Sequence, residues 1–485
     1  MKRKFLSLSL IAVAVSSLCA PAVAKNATRD LDGFKFSGFG RAAVGVTQDQ
    51  LVSKTAQKAH NGVNIIQTAG NPYKPTGKLG NQGSQAELHF DYGISQNNMN
   101  WVVHTNLFTG ASTYNDDPTR PASNYFFLDE WWVHGTGIID SNPNAAVWMG
   151  KRYYGRYEAS LNGFQHVNQD GLGGGLDNFD VGFGMLNLAV VKDSFGGPTN
   201  EFCEVKDIWE QCADDSVEGF SGGNVSFLTK LHSMPITDSL KSDVFFNYGR
   251  YFGSDADMKA HISDGNYTRS ARENNPDSYQ LGLALTQGDR SDWNRLLVRY
   301  SNKTSTSMTQ SWLHRPSYQV GGFFDGVQEI TDSVRLAYML SHETASYGDD
   351  VKDLKVNRAL PYEKTTWNQA AVRGTYSWSS KFSTVLELAY DQMDFEVNAR
   401  GATTGTDGTN SSAKVTLAQD IHLGSGYWDR PVIRLFVTYG QLDTNTLAFQ
   451  SYGTGSDWQA GYNPYITELG KRDATTFGLM FETWW

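Results

Sequence analysis

Several aromatic and charged residues recur at a spacing of two, which sets them on one face of an extended chain. Phe39 stands two residues before Arg41. Trp293 shares its parity with Arg295, Leu297 and Arg299, Trp428 with Arg430 and Arg434, and Trp484 with Glu482. Rings can cover the flat, weakly apolar CH faces of an uncharged, hydroxyl-rich molecule, while Arg, Asp, Glu and Asn exchange hydrogen bonds with its hydroxyl groups. Such a set binds weakly and repeatedly, the compromise between entry and release that a selective path requires. Taken singly, each ring reads equally well as an interface anchor or as turn packing.

Other chemistries fit the sequence less well. Acid–base hydrolysis of a sugar needs two carboxylates at a set separation, and Asp129, Glu130 and Glu158 are the acids in question. Acids are common and nothing in the spacing pairs these three, so no catalytic residue is assigned. The run Leu172-Gly173-Gly174-Gly175-Leu176-Asp177-Asn178 lacks the Lys-Ser or Lys-Thr of a phosphate loop and reads as a flexible segment. Cys203 and Cys212 lie in a polar stretch beside Asp207, Asp214 and Asp215. In an exported chain they read as a disulfide stapling a loop, with free thiols or a metal pair as the alternatives. Without neighbouring His they make a poor zinc site, so neither metal nor cofactor is expected.

The chain carries export signals. Lys2, Arg3 and Lys4 precede an apolar stretch from Phe5 to Val15, and Ala22-Val23-Ala24 forms a small-x-small cleavage site before Lys25. Residues 1–24 are therefore expected to be a signal peptide and residues 25–485 a single domain. A lipid anchor at Cys19 fits less well, because Leu18 precedes it where a small residue is needed. The leader holds three positive and no negative charges, so the formal charge of −10 becomes −13 after cleavage. An acidic chain of this kind is a poor binder of nucleic acid and is compatible with uncharged ligands.

The elements that must carry these residues are strands. No apolar run long enough for a membrane helix follows the leader. Yet the chain has 48 Gly, 13 Trp, 23 Tyr and 26 Phe with a mean hydropathy of −0.44. That balance is expected when each strand shows one face to lipid and the other to water. Phe36, Gly38, Gly40, Ala42, Val44 and Val46 alternate with Ser37, Phe39, Arg41 and Ala43. Ala86, Leu88, Phe90 and Tyr92 alternate with Gln85, Glu87, His89 and Asp91. Leu296, Val298 and Tyr300 oppose Arg295, Leu297 and Arg299, and Ile433, Leu435, Val437 and Tyr439 oppose Arg434, Phe436 and Thr438. At the carboxyl terminus Phe477, Leu479, Phe481 and Trp485 oppose Thr476, Gly478, Met480, Glu482 and Trp484, a pattern suited to a barrel-closing strand. A soluble core strand would have to bury Glu482.

Connections alternate in size. Residues 288–292 and 379–381 are short turns, whereas 49–83, 196–218 and 440–473 are long and rich in Gly, Asn, Asp and Pro. This is the arrangement of an outer-membrane barrel. The stretch from Val147 to Asn178, dense in rings and charge through Trp148, Tyr153, Tyr154, Arg156 and Glu158, is expected to fold inward and narrow the lumen. An external cap is the alternative.

The sequence resembles the maltoporins and related sugar-specific porins. The landmarks are Phe36-Ser37-Gly38-Phe39-Gly40-Arg41, Leu79-Gly80-Asn81 followed by Ala86-Glu87-Leu88, and Trp148-Met149-Gly150-Lys151-Arg152-Tyr153-Tyr154-Gly155-Arg156. They continue through the segment from Gly175 to Gly184, that from Trp428 to Phe436, and Thr476-Phe477-Gly478 with Trp484-Trp485. The resemblance implies an all-β transmembrane antiparallel barrel of 18 strands, a homotrimer in outer-membrane lipid, and an inward third loop. It also implies an aromatic path along which maltodextrins or related neutral oligosaccharides pass by facilitated diffusion. By local match the rings are Phe39, Trp293, Trp428 and Trp484, and the polar contacts Arg41, Glu87, Arg156 and Glu158.

The departures fall at the narrow region. The family's ring before Ala-Glu-Leu falls at Gln85, its pore Arg at Asp129, the bulky Tyr of the constriction at Gln165 and a nearby acid at Gly163. Tyr114 is the nearest substitute for a ring lent by a neighbouring subunit. Smaller groups there predict a wider constriction, open to sucrose or a β-glucoside as well as to the maltose series. The functional alternatives are a general diffusion porin and an outer-membrane receptor.

Overall fold

The computed structural model describes residues 31–47, 74–80, 84–111, 126–192, 223–252, 277–288, 291–309, 316–347, 362–397, 407–424, 426–446 and 469–485. The expected signal peptide, Tyr114, Cys203 and Cys212 lie outside the described residues.

In chain order the strands are β1 (Gly33–Thr47), β2 (Ser84–Gln96), β3 (Met99–Ala111), β4 (Phe126–Thr136), β5 (Ala146–Arg152), β6 (Tyr157–Glu158), β7 (Gln165–Val167), β8 (Gly171–Asp180), β9 (Met185–Lys192), β10 (Gly223–Pro235), β11 (Leu240–Phe252), β12 (Asp277–Gly288), β13 (Trp293–Asn302), β14 (Tyr318–Thr331), β15 (Val334–Ser346), β16 (Tyr362–Ser377), β17 (Phe382–Val397), β18 (Gly408–His422), β19 (Val432–Thr444) and β20 (Gly470–Trp484). Strands β6 and β7 pair only with each other, and the other eighteen form one sheet. Each is antiparallel to the next, and β1 closes the ring on β20 with Phe39 opposite Trp484 and Val44 opposite Leu479. The architecture is a closed 18-stranded antiparallel barrel.

Alternation fixes the two faces. Phe34, Phe36, Val44, Val298, Ile433, Leu435, Phe477 and Leu479 are exposed on the outer wall. Glu87, Arg295, Arg299, Arg434, Thr438 and Thr476 are buried on the inner one. Exposed apolar side chains over so much of a wall are stable only against hydrocarbon. Turn chemistry follows the same order. Between β2 and β3, Asn97 and Asn98 adopt φ of 53° and 61°, the left-handed pair that a two-residue hairpin demands and that Asn tolerates.

Three expected boundaries are corrected. The segment from Val147 to Asn178 is not all loop: Ala146–Arg152 and Gly171–Asp180 are wall strands, and only residues 153–170 turn inward. The glycine run is strand because its neighbours require it. A Cβ on Gly173 would lie 2.1 Å from the Val190 carbonyl oxygen, and one on Gly175 would lie 2.9 Å from Trp148 Nε1. The connection expected over 440–473 is shorter at both ends, since β19 runs to Thr444 and β20 starts at Gly470. Trp428 lies in the turn before β19 and not on a strand.

Gly173→Val should sharply lower the yield of folded, heat-modifiable barrel, whereas Leu172→Val on the outer face should leave it unchanged. Equal yields would show that β8 accommodates a side chain at its inner face.

Candidate functional site

The inward loop, residues 153–170, leaves β5, crosses the lumen and rejoins the wall at β8. Its apolar side, Tyr157, Ala159, Leu161 and Val167, packs on Phe245, Trp293, Leu297, Phe323 and Met339 of the wall. Hydrogen bonds fix its register there. Asp325 Oδ2 accepts from the Ser160 amide at 2.9 Å and pairs with Arg295 at 2.9 Å, while Arg295 also donates to the Glu158 carbonyl at 2.6 Å. With Arg295 and Asp325 side chains only 2% and 0% exposed, losing either would strand a buried charge. Tyr157 donates to Asp243 at 2.7 Å and Gln169 to Gln280 at 2.8 Å. At the return, Asp170 accepts from the Tyr154 amide and from Arg156, and its carbonyl accepts from Thr309 at 2.6 Å.

Two further segments enter the lumen. Residues 303–309 meet the loop through the Asn168 amide to the Thr306 carbonyl at 3.1 Å and the Met308 amide to Gln169 at 3.1 Å. Residues 74–80, expected within a long external connection, instead lie against β15 to β19. Lys74 pairs with Glu343, which also binds Arg299 at 3.1 Å. Thr76 donates to Asp391. Glu387 Oε1 accepts from the amides of Lys78 and Leu79 at 2.9 and 2.8 Å, and its other oxygen from Arg373 Nε at 2.8 Å. Leu79 is buried among Val385, Ala418, Phe436 and Met480.

The residues nominated from sequence fall into three groups. Phe39, Trp428 and Trp484 gather at the short-turn end. Phe39 is 3% exposed and opposite Trp484, whose ring lies 6.4 Å from that of Trp428. Arg430 stacks 4.1 Å over Trp484 and binds Glu482 at 2.8 Å, and Arg41 stands opposite Glu482 in the register.

Trp293 faces inward as expected but is 3% exposed beneath the loop, 5.5 Å from the Arg295 guanidinium. Arg156 is clamped to Asp170 and stacks 3.4 Å over Tyr153. Glu158 pairs with Gln165 across the small hairpin, and Gln165 accepts from Asn168. Gly163 has a φ of 73°, and a Cβ there would meet Glu158 Oε1 at 3.1 Å, so the loop favours glycine at this position.

On the opposite wall, Glu87 is buried 3.4 Å from His89. Asp129 occupies a bulge where the β3–β4 register shifts, and binds the Tyr153 hydroxyl and Lys151. Beside it runs a chain that the sequence reading missed. His104 bonds Asp91 at 2.7 Å and His134 at 2.9 Å and stacks 3.9 Å from Trp132, over which Arg152 lies at 4.0 Å. Of its three members only Asp91 was marked in the sequence, by the inward parity it shares with Glu87. No cluster suited to a metal ion occurs among the described residues.

The model of the LamB porin family matches residues 34–485. Among solved structures, the chain is similar to Acinetobacter baumannii OccAB2, at 10% identity over 94% of this chain and 99% of that one, with a TM-score of 0.45. It is also similar to Pseudomonas aeruginosa OprD, at 9% identity over 94% and 97%, TM-score 0.44. A third is an anion-selective porin from Comamonas acidovorans, at 8% identity over 93% and 100%, TM-score 0.39.

His166 within the loop packs against Phe323 and Trp367, and neither ring nitrogen has a hydrogen-bond partner among the described residues. Burial, then the nearby Arg299, Lys74 and Arg295, hold its pKa well below the usual value. A released loop would restore that value, so the packed loop is fully favoured above about pH 6.5 and loses stability as the pH falls below it. Channel conductance should therefore rise or become noisier between about pH 7.5 and about pH 5, and His166→Phe should abolish the change. A pH response that persists in the variant would exclude this histidine as its source.

Proposed function

The chain belongs to the LamB porin family, and from that premise we propose that this outer-membrane porin passes neutral oligosaccharides of the maltose series or of related linkage by facilitated diffusion, without chemical turnover. The observation that carries the reading is the pair Trp428 and Trp484 at the short-turn end, half-buried and backed by Arg430 and Glu482. Rings beside fixed hydrogen-bonding groups are the combination that a sugar's apolar faces and hydroxyl equator would use. In this proposal Phe39 and Arg41 extend that end of the path and Trp293 supports it from beneath the loop. Glu87, Arg156 and Glu158 supply hydroxyl contacts, and Gln165 and Asp129 border the constriction. Glutamine at 165 and glycine at 163 support a broader substrate range than a ring and an acid would.

Trp428→Ala and Trp484→Ala should each weaken saturable block of planar-bilayer current by maltose-series sugars by about fivefold, the worth of one stacking contact. Sucrose and β-glucosides titrated alongside would rank the substrates. Equal permeation of all sugars without saturable block, in parent and variants alike, would favour a general diffusion porin.

The same proposal includes removal of residues 1–24, a homotrimer of single-barrel subunits, and a Cys203–Cys212 bridge. The small-x-small site supports the first, the family the second, and the oxidising side of export the third. Intact mass of the chain taken from outer membranes should begin at Lys25 and rise by two hydrogens on reduction. A retained leader or a mass unmoved by reductant would refute the respective part.

A further inference from the structure

The outer wall over β13 to β17 is not smooth. Val298, Gly322, His342, Asn368 and Gln392 are neighbours along one row of the register, and Leu296, Phe324, Leu340, Ala370 and Tyr390 along the next row toward the turns. Gly322 and Ala370 place almost no side chain between their larger neighbours, which leaves a depression of about 550 Å³. Leu296, Val298, Val320, Phe324, Leu340 and Tyr390 border it and are all exposed on the membrane face.

Polar groups collect toward one side only. His342 Nδ1 bonds Asn368 Oδ1 at 2.8 Å, and Thr344 Oγ1 lies 3.4 Å from His342 Nε2 and 3.3 Å from Thr366 Oγ1. The Tyr390 hydroxyl donates to Gln392 at 3.3 Å. All of these stand nearer the long-loop ends of their strands, where β15 stops at Ser346 and β16 starts at Tyr362. A tyrosine with its body among aliphatic side chains and its hydroxyl bonded outward marks the hydrocarbon boundary. The His342–Asn368 row thus forms the polar side of the depression, which runs from Val320, one row nearer the long loops, down to the Leu340–Ala370 row.

We propose that this depression is a binding site for an acyl chain of an outer-leaflet lipid. The chain lies over Gly322 and Ala370, and its ester or amide linkage meets His342 and Asn368. The groove repeats the order of an amphiphile, tail below and linkage above, and is continuous with a surface that hydrocarbon already covers. A second protein chain would not require that order. The inference is independent of what the lumen conducts.

The test uses the full chain in vesicles of phosphatidylethanolamine and phosphatidylglycerol, doped with a phospholipid bearing a diazirine in its acyl chain. After irradiation, peptides are mapped by mass spectrometry. Adducts at Val320–Phe324 and around Ala370 should exceed those at Leu435–Tyr439 of β19 by about fourfold, the factor given by burying one further methylene. Ala370→Trp, which fills the floor, should bring the two regions level. Val320→Trp serves if that variant does not fold. Even labelling around the parent barrel, or an excess that survives filling, would overturn the site. So would cross-links to a second copy of the chain at these residues in place of lipid, which would mark a subunit contact instead.

Discussion

Inside hydrocarbon every backbone N–H and C=O must find a partner within the protein, and the pairing of β1 with β20 is where this chain completes that requirement. Once the sheet is closed, alternation does the rest. Outward positions meet lipid and take apolar residues along most of the wall, so charged side chains such as Glu87, Arg295, Arg299 and Arg434 are turned inward. Eighteen strands enclose more space than their own inward side chains can fill. The lumen is therefore subdivided by chain that returns into it, residues 74–80, 153–170 and 303–309.

Those returning segments are held by wall carboxylates with more than one obligation. Asp325 serves Arg295 and the Ser160 amide, Glu343 serves Arg299 and Lys74, and Glu387 serves Arg373 and two amides of the segment 74–80. A buried carboxylate costs much unless its lone pairs are used, and here the loop supplies the donors that the wall cannot. The pairs thereby set which conformation the loop and the segment 74–80 hold against the wall.

What was legible in the sequence was whatever the strand period alone decides. The faces of β1, β13, β19 and β20 were readable because aliphatic residues mark every second position. Strand β8 was not, because glycines at 173, 174 and 175 leave no side chains to alternate, and its strand state depends on the backbones of β5 and β9. The inward course of residues 74–80 depends on Glu343, Glu387 and Asp391, hundreds of residues away and unmarked by any local pattern. Trp293 shows the difference within one residue. Its parity gave the inward direction, but its burial comes from a loop that packs over it. The chain of Asp91, His104 and His134 is spread over three strands, so no single window contains it.

The distribution of ions and rings also limits how firmly the lumen can hold a solute. Near the loop, Arg156, Arg295 and Arg299 are each engaged by a carboxylate, which spends their hydrogen-bonding on the protein. At the short-turn end one face of Trp484 is covered by Arg430 at 4.1 Å, and Tyr427 abuts Trp428 edge-on at 4.6 Å. Each ring is thus partly committed to the protein, and a passing molecule can use only the remainder. In the proposed path, contact of that kind would order a solute without holding it, which is the condition for flux through a path with no energy input.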